Sequence, residues 1–143
     1  MNSKQHGNIA LARAVAHFSA TGYSIFLPVG DNGGAIDLIV SPDGTTLQRI
    51  QCKYTEYRHT SMKAKYPERM IYQVNLRPIK TQAHRIDSSL ITPYTADAFD
   101  WLYVSTPHGD FLIDWPAFCK ERGQPPSFLV LGQQFTPNLT AQP

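Results

Sequence analysis

The stretch IDLIVSPDGTTLQRIQCKY, residues 36–54, decides how the chain is read. Ile36, Leu38 and Val40 alternate with Asp37 and Ile39, and this period of two predicts a strand. Ser41-Pro42-Asp43-Gly44 is strong turn chemistry. The return strand, over about 46–57, places Arg49, Gln51, Lys53 and Thr55 on one face and Ile50, Cys52 and Tyr54 on the other. Asp37 lies in an apolar run, where a bare carboxylate is costly unless a cation or a metal pairs with it. The short turn brings Gln51 and Lys53 alongside it, so the three converge. Magnesium takes hard oxygen ligands and keeps several waters. The Asp37 carboxylate, the Gln51 amide oxygen and the backbone carbonyl of Cys52 suit the protein's share of such a shell. The Lys53 ammonium then stands where it stabilises a phosphorane-like transition state or orients an attacking water.

Outward from this hairpin, residues 7–21 read as a helix with Leu11, Ala14, Val15 and Phe18 in one stripe, Arg13 and His17 on the opposite face, and Gly22 as the stop. A strand is expected over Tyr23 to Val29, before the turn GDNGG at 30–34, where Asp31 is ordinary turn chemistry. After a basic loop at 58–69 a further strand covers Met70 to Leu76, and residues 77–97 read as loop. Trp101 to Ser105 and Asp110 to Ile113 form a last hairpin around Pro107-His108-Gly109. A short helix near Pro116 to Arg122 and a proline-rich tail follow. Asp100 reads as structural. The expected architecture is α/β: a central mixed sheet of four to six strands flanked by helices, in one domain spanning residues 1–143.

The formal charge of +2 over 143 residues conceals an uneven distribution. Residues 49–85 carry nine Lys and Arg against two Glu, a net +7, while both flanking segments are acidic. Tyr54, Tyr57, Tyr66 and Tyr72 are interleaved with these cations. Such a segment suits a nucleic-acid backbone, with Arg49, Arg58, Lys63, Lys65, Arg69, Arg77 and Lys80 as candidate phosphate contacts. Hydrophobic content of 42% argues against wholesale disorder. Apolar runs such as FLVL at 128–131 fall far short of the roughly 20 residues that span a bilayer, so no membrane partner is expected. The N-terminus does not read as a signal peptide, and an intracellular protein, cytoplasmic or organellar, is expected. Cys52 and Cys119 have no metal-ligand spacing, and the five His are scattered.

Pro28 to Asp37, a stretched acidic motif, together with Gln51-Cys52-Lys53, resembles the PD-(D/E)-XK nuclease superfamily. More narrowly, GNIALARAVAHFSATGYSIFLPVGDNGGAIDLIV at 7–40, followed by RIQCK at 49–53, is similar to group I intron-encoded homing endonucleases of cyanobacterial type. That group carries Gln-x-Lys in place of Glu-x-Lys. YTADAFDWLYVSTPHGDFLI, at 94–113, resembles the family's closing hairpin, so the likeness covers roughly residues 6–118. The resemblance implies a restriction-endonuclease-like fold, site-specific magnesium-dependent cleavage of double-stranded DNA, and a homo-oligomer, dimer or tetramer. The catalytic set it implies is Asp37, Gln51 and Lys53. One departure stands in the first helix, where the family often has an acidic residue and this chain has Asn8. By helix geometry Asn8 lies within about 60° of the Leu11 stripe and points toward the sheet, making it a fourth candidate metal ligand beside Asp37, Gln51 and Cys52. An amide there brings no charge. That keeps two alternatives open: a nuclease-fold DNA-binding protein with weak or no turnover, and a Holliday-junction resolvase or restriction-type nuclease on the same fold.

Overall fold

The computed structural model describes residues 2–29, 34–65, 70–76 and 94–131. The hairpin at its centre takes its register from a turn built around Asp43. One carboxylate oxygen, Oδ1, accepts the backbone N–H groups of Thr45 at 2.8 Å and Thr46 at 2.6 Å. Gly44, at φ 83°, occupies the left-handed region that a side chain resists, and its N–H donates to Ser41 Oγ at 2.8 Å. The turn joins β2 (Leu38–Ser41) to β3 (Gln48–Tyr54) in an antiparallel pair with Leu38 opposite Ile50. One step beyond that pair, Asp37 comes opposite Gln51, and its N–H donates to the Ile50 carbonyl at 2.9 Å.

Five strands form the main sheet in the order β1 (Ser24–Phe26), β2, β3, β5 (Trp101–Thr106), β6 (Gly109–Asp114). The β3–β5 pair is parallel and the other three are antiparallel, which makes the sheet mixed. On one face lies α1 (Ser3–Ala20), opened by a capping box between Asn2 and Gln5. Its Ala10, Ala14 and Phe18 are buried against Leu38, Val40, Ile50, Cys52, Tyr103 and Leu112, with Leu11 and Val15 packed at the margin. The two alanines let the helix axis approach the strands closely. Leu102, Val104, Phe111 and Ile113 line the opposite face of the sheet. They are covered by a second sheet of two antiparallel strands, β4 (Tyr72–Asn75) and β7 (Phe128–Leu131), and by α3 (Trp115–Arg122) through Trp115 and Cys119. Asp114 caps α3, accepting the Ala117 N–H at 3.1 Å.

Several elements differ from expectation. The strand expected over 23–29 narrows to β1, whose pairing ends at Phe26 opposite Ile39; Pro28, two residues on, has no N–H to give a ladder. The basic loop contains a short helix, α2 (Thr60–Lys65). The strand near 70–76 lies outside the main sheet and pairs with FLVL at 128–131, a run expected to belong to the tail. Arg13 and His17, expected on the far side of α1 from the sheet, reach it instead. Arg13 Nη1 donates to Thr106 O at 2.9 Å and to Asp110 Oδ1 at 3.0 Å, and the His17 ring lies 5.8 Å from that of Tyr103. The flank of α1 passes over the β5–β6 turn, and long side chains fold down onto it. The expectations for residues 77–93 and 132–143, and for Asp31, Arg69, Arg77 and Lys80, fall outside the described residues.

Candidate active site

Asp37 and Gln51 face each other across the β2–β3 ladder, on the face of the sheet away from α1. Asp37 Oδ2 accepts two bonds, from the Cys52 N–H at 2.8 Å and from Gln51 Nε2 at 2.7 Å. Gln51 Nε2 donates also to the Cys52 carbonyl at 3.0 Å. The amide NH₂ therefore occupies the point where a carboxylate oxygen and a carbonyl oxygen converge. The other end of the amide, Gln51 Oε1, is buried with no hydrogen-bond partner. An orphaned buried acceptor is uncommon, because losing water without gaining a bond costs about 1–3 kcal/mol.

Lys53, two residues along β3, shares the Gln51 face. It is half-buried, with Nζ 5.4 Å from the centre of the Tyr94 ring, within cation–π range. Burial lowers its pKa and the neighbouring Asp37 charge partly restores it, so its proton is easier to give up than an ordinary lysine's. Burial, and then the Asp37 charge, push the Tyr94 hydroxyl up to about 12, so Tyr94 is a neutral donor. The Cys52 thiol points into the α1 core, where burial raises its pKa well above the usual thiol range. Only its backbone groups face the site.

Helix α1 brings Asn8, with Gly7 and Leu11, to a cleft of about 490 Å³ that Asp37, Gln51 and Cys52 also line. An adjoining cleft of about 560 Å³ shares Gly7 and Cys52 and adds His6, Lys53, Tyr54, Gln73 and Asn75. The four expected ligand positions, Asn8, Asp37, Gln51 and Cys52, thus meet in one cleft, with Lys53 at the edge of the next. Among the described residues no three His, Cys, Asp or Glu side chains cluster for a metal. The donors here are of another kind: one carboxylate with amide and carbonyl oxygens. Gln51 Oε1, lacking a partner beside Asp37 Oδ2 and Cys52 O, completes such a set when the amide turns over. This hard-oxygen group fits a magnesium-type cation and not zinc.

Of the cations expected at phosphates, Lys63 and Lys65 are exposed on α2, and Arg58 is half-buried where its backbone bridges to Tyr72. Arg49 has a different position. Its backbone N–H and Nε donate to Asp100 Oδ2 at 2.7 and 3.2 Å, Nη2 to Asp100 Oδ1 at 3.2 Å, and Nη1 to the Asp97 carbonyl at 2.9 Å. Burial favours the neutral acid at Asp100, but the Arg49 bonds outweigh it and hold the carboxyl below the usual range. Arg49 thus ties β3 to the segment entering β5, in keeping with the structural reading of Asp100, and its guanidinium is turned to that carboxylate. Two further residues enter the site unannounced by the sequence. Tyr94 closes a stretch without periodicity, and His6, its ring 4.8 Å from that of Tyr54 and tilted by 41°, looks like any surface histidine of α1. Neither carries a local signal.

Comparison with known proteins bears on the fold and on the family. The bacterial homing endonuclease I-Ssp6803I has a solved structure that matches with a TM-score of 0.68, at 20% sequence identity over 92% of this chain and 78% of its own, and so shares the fold. No curated protein matches the chain. The family model described as PD-(D/E)XK endonuclease matches residues 1–118, a span that takes in α1, the Asp37 strand, Gln51-x-Lys53 and the β5–β6 hairpin. That match covers well over half the sequence and includes every residue gathered at the cleft, and by it the chain belongs to the PD-(D/E)XK endonuclease family.

Proposed function

We propose that this family member is a site-specific double-stranded DNA endonuclease of the homing type, hydrolysing phosphodiesters with magnesium. The observation that carries the reading is the convergence of Asp37 Oδ2, Cys52 O and the Gln51 amide, with Lys53 on the same face of β3. Asp37, Gln51 Oε1 and the Cys52 carbonyl would hold the cation, and Asn8, lining the same cleft, would hold it directly or through a water. When bound, magnesium neutralises phosphate charge and makes a water nucleophilic at neutral pH. The chain's own groups do the rest. Cys52 N–H fixes the Asp37 carboxylate, so its oxygen faces the cleft without reorganisation. Lys53, with burial easing its proton away, orients the attacking water and stabilises negative charge on the phosphoryl oxygens. Lys63 and Lys65 seat the backbone of the duplex.

The homing assignment draws on the shared fold with a bacterial homing endonuclease and on the Gln-x-Lys motif. A homo-oligomer, dimer or tetramer, would give the reach a long target needs. Among the described residues no helix is long and apolar enough to cross a membrane. Asp37→Asn and Lys53→Ala are each expected to abolish magnesium-dependent duplex cleavage while leaving duplex binding largely intact. Retained turnover in either variant rejects the assignment. The lone formal charge of the ligand set supports a second reading, a DNA-binding protein without turnover, and a wild type that binds duplex but never nicks it decides for that. Cleavage of four-way junctions in preference to linear duplex marks a resolvase instead. A reading frame lying within a group I intron, with cleavage of the intronless allele only, marks homing.

A further inference from the structure

The β4–β7 ribbon has two unlike faces. Tyr72, Val74, Leu129 and Leu131 are buried in the core beneath it. The outer face carries Gln73, Asn75, Phe128 and Val130, with Asn75 opposite Phe128 and Gln73 opposite Val130. Asn75 is exposed, Phe128 is 44% exposed, and Gln73 and Val130 are half-buried. Gln73 Nε2 donates to Asn75 Oδ1 at 3.4 Å, which sets the two amides side by side on that face, and both line the cleft that holds Lys53.

The eight residues of the ribbon include no charged side chain, yet the four of β4 sit within the most basic part of the chain. Arg58, Lys63, Lys65 and Arg69 precede β4 in sequence, and Arg77, Lys80 and Arg85 follow it. A solvated ribbon of this kind normally bears charges that keep it from pairing with other chains. Here the order along the chain is cations, then the two amides of β4, then cations, with the Phe128 ring brought alongside by β7. Cations suit phosphates, which position a duplex, while paired donor–acceptor amides suit base edges, which specify it. The major groove, about 12 Å wide, admits a two-stranded ribbon, and in it Asn or Gln bonds adenine N6 and N7 while an apolar side chain meets the thymine methyl.

Resting on the DNA reading above, we propose that the outer face of the β4–β7 ribbon enters the major groove beside the cleavage site and reads A·T pairs, with Gln73 and Asn75 on adenine edges and Phe128 against a thymine methyl. The ribbon thus supplies sequence choice to a cleft that supplies chemistry.

Binding selection from a duplex library with a randomised core, using the full chain and its Gln73→Ala, Asn75→Ala and Phe128→Ala variants, tests this. The wild type is expected to enrich a motif containing A·T pairs. Each alanine variant should lose preference at one position by roughly tenfold, while binding to an unrelated duplex and its salt slope stay unchanged. Asn75→Gln, which keeps the amide, should move or weaken that preference without erasing it, and melting curves for all variants establish that they fold. An identical motif in all three alanine variants overturns the proposal. So does a uniform loss of affinity with a shallower salt slope, and so does a change in oligomeric mass on Phe128→Ala with the motif intact, which marks an interface between copies. A wild type that binds duplex without any motif overturns the ribbon proposal and the site specificity of the DNA reading together, while leaving duplex binding in place. A wild type that binds no duplex overturns the DNA reading with it.

Discussion

At Gln51 an amide faces Asp37 where a second carboxylate would meet it charge to charge. The amide lets the site close on itself without a cation, through the bonds to Asp37 Oδ2 and Cys52 O. Gln51→Glu removes both donations and sets two like charges across one ladder rung. Its apo form is expected to lose about 2 kcal/mol at neutral pH. The sign follows from the proton. One carboxyl of the pair acquires a raised pKa in the fold, so the folded variant keeps a proton that the unfolded chain releases near pH 4. Its stability therefore falls as pH rises through the raised value and recovers in acid or with magnesium. Melting temperature against pH, with and without magnesium, checks this, and a variant as stable as wild type at pH 7 without metal contradicts the geometry. This part of the site was legible in the sequence because it is local: a strand period of two and a four-residue turn bring 37, 51 and 53 together. Asn8 was legible through helix period. Tyr94 and the Arg49–Asp100 bonds were not, since each needs a partner some 40 to 50 residues away whose position no local pattern reports.

Among the elements, the β2–β3 turn carries the register on which Asp37 and Gln51 depend. A Cβ added at Gly44 meets nothing within 4 Å, so Gly44→Ala tests backbone conformation alone, and a left-handed alanine costs about 1–2 kcal/mol. Cleavage should fall with stability, and a variant as stable as the parent contradicts the turn described here. The Asp43 carboxyl is held well below the usual carboxylate range, first by the Thr46 N–H and then by that of Thr45. A depressed pKa gives stability that is fully present above the ordinary value near 4 and lost as pH falls through the folded value. Asp43→Asn is therefore expected to flatten the acid limb of the stability curve below about pH 4. Denaturant midpoints at pH 2 to 6 measure it. Elements with strong local patterns, α1, β2, β3, the β5–β6 hairpin and α3, were readable from sequence. The β4–β7 pairing was not, because its strands lie more than 50 residues apart and FLVL by itself reads as an apolar run. α2 lacks an apolar stripe and was hidden among its lysines.

On the scale of the molecule, charge and chemistry are separated: α2 carries exposed lysines, the β4–β7 ribbon carries no charge, and two adjoining clefts hold Asp37 and Lys53. Neutralising Lys63 and Lys65 together should weaken binding to all duplex sequences alike and flatten log K against log salt by about two units. An unchanged slope places both away from the phosphates. The parallel pairing of β3 with β5 has a consequence for how the protein comes into being. Parallel neighbours need a crossover, and this one runs from Thr55 to Asp100, carrying α2 and β4 along the way. During synthesis, Asp37, Gln51 and Lys53 leave the ribosome long before Leu102 and Val104, the β5 residues paired beside Gln51 and Lys53. Until β5 emerges, β3 is an open edge and its polar face has no floor. A nascent chain is therefore expected to lack an assembled cleft until nearly the whole β5–β6 hairpin has been made, and the β4–β7 ribbon, whose second strand is made later still, closes only after it.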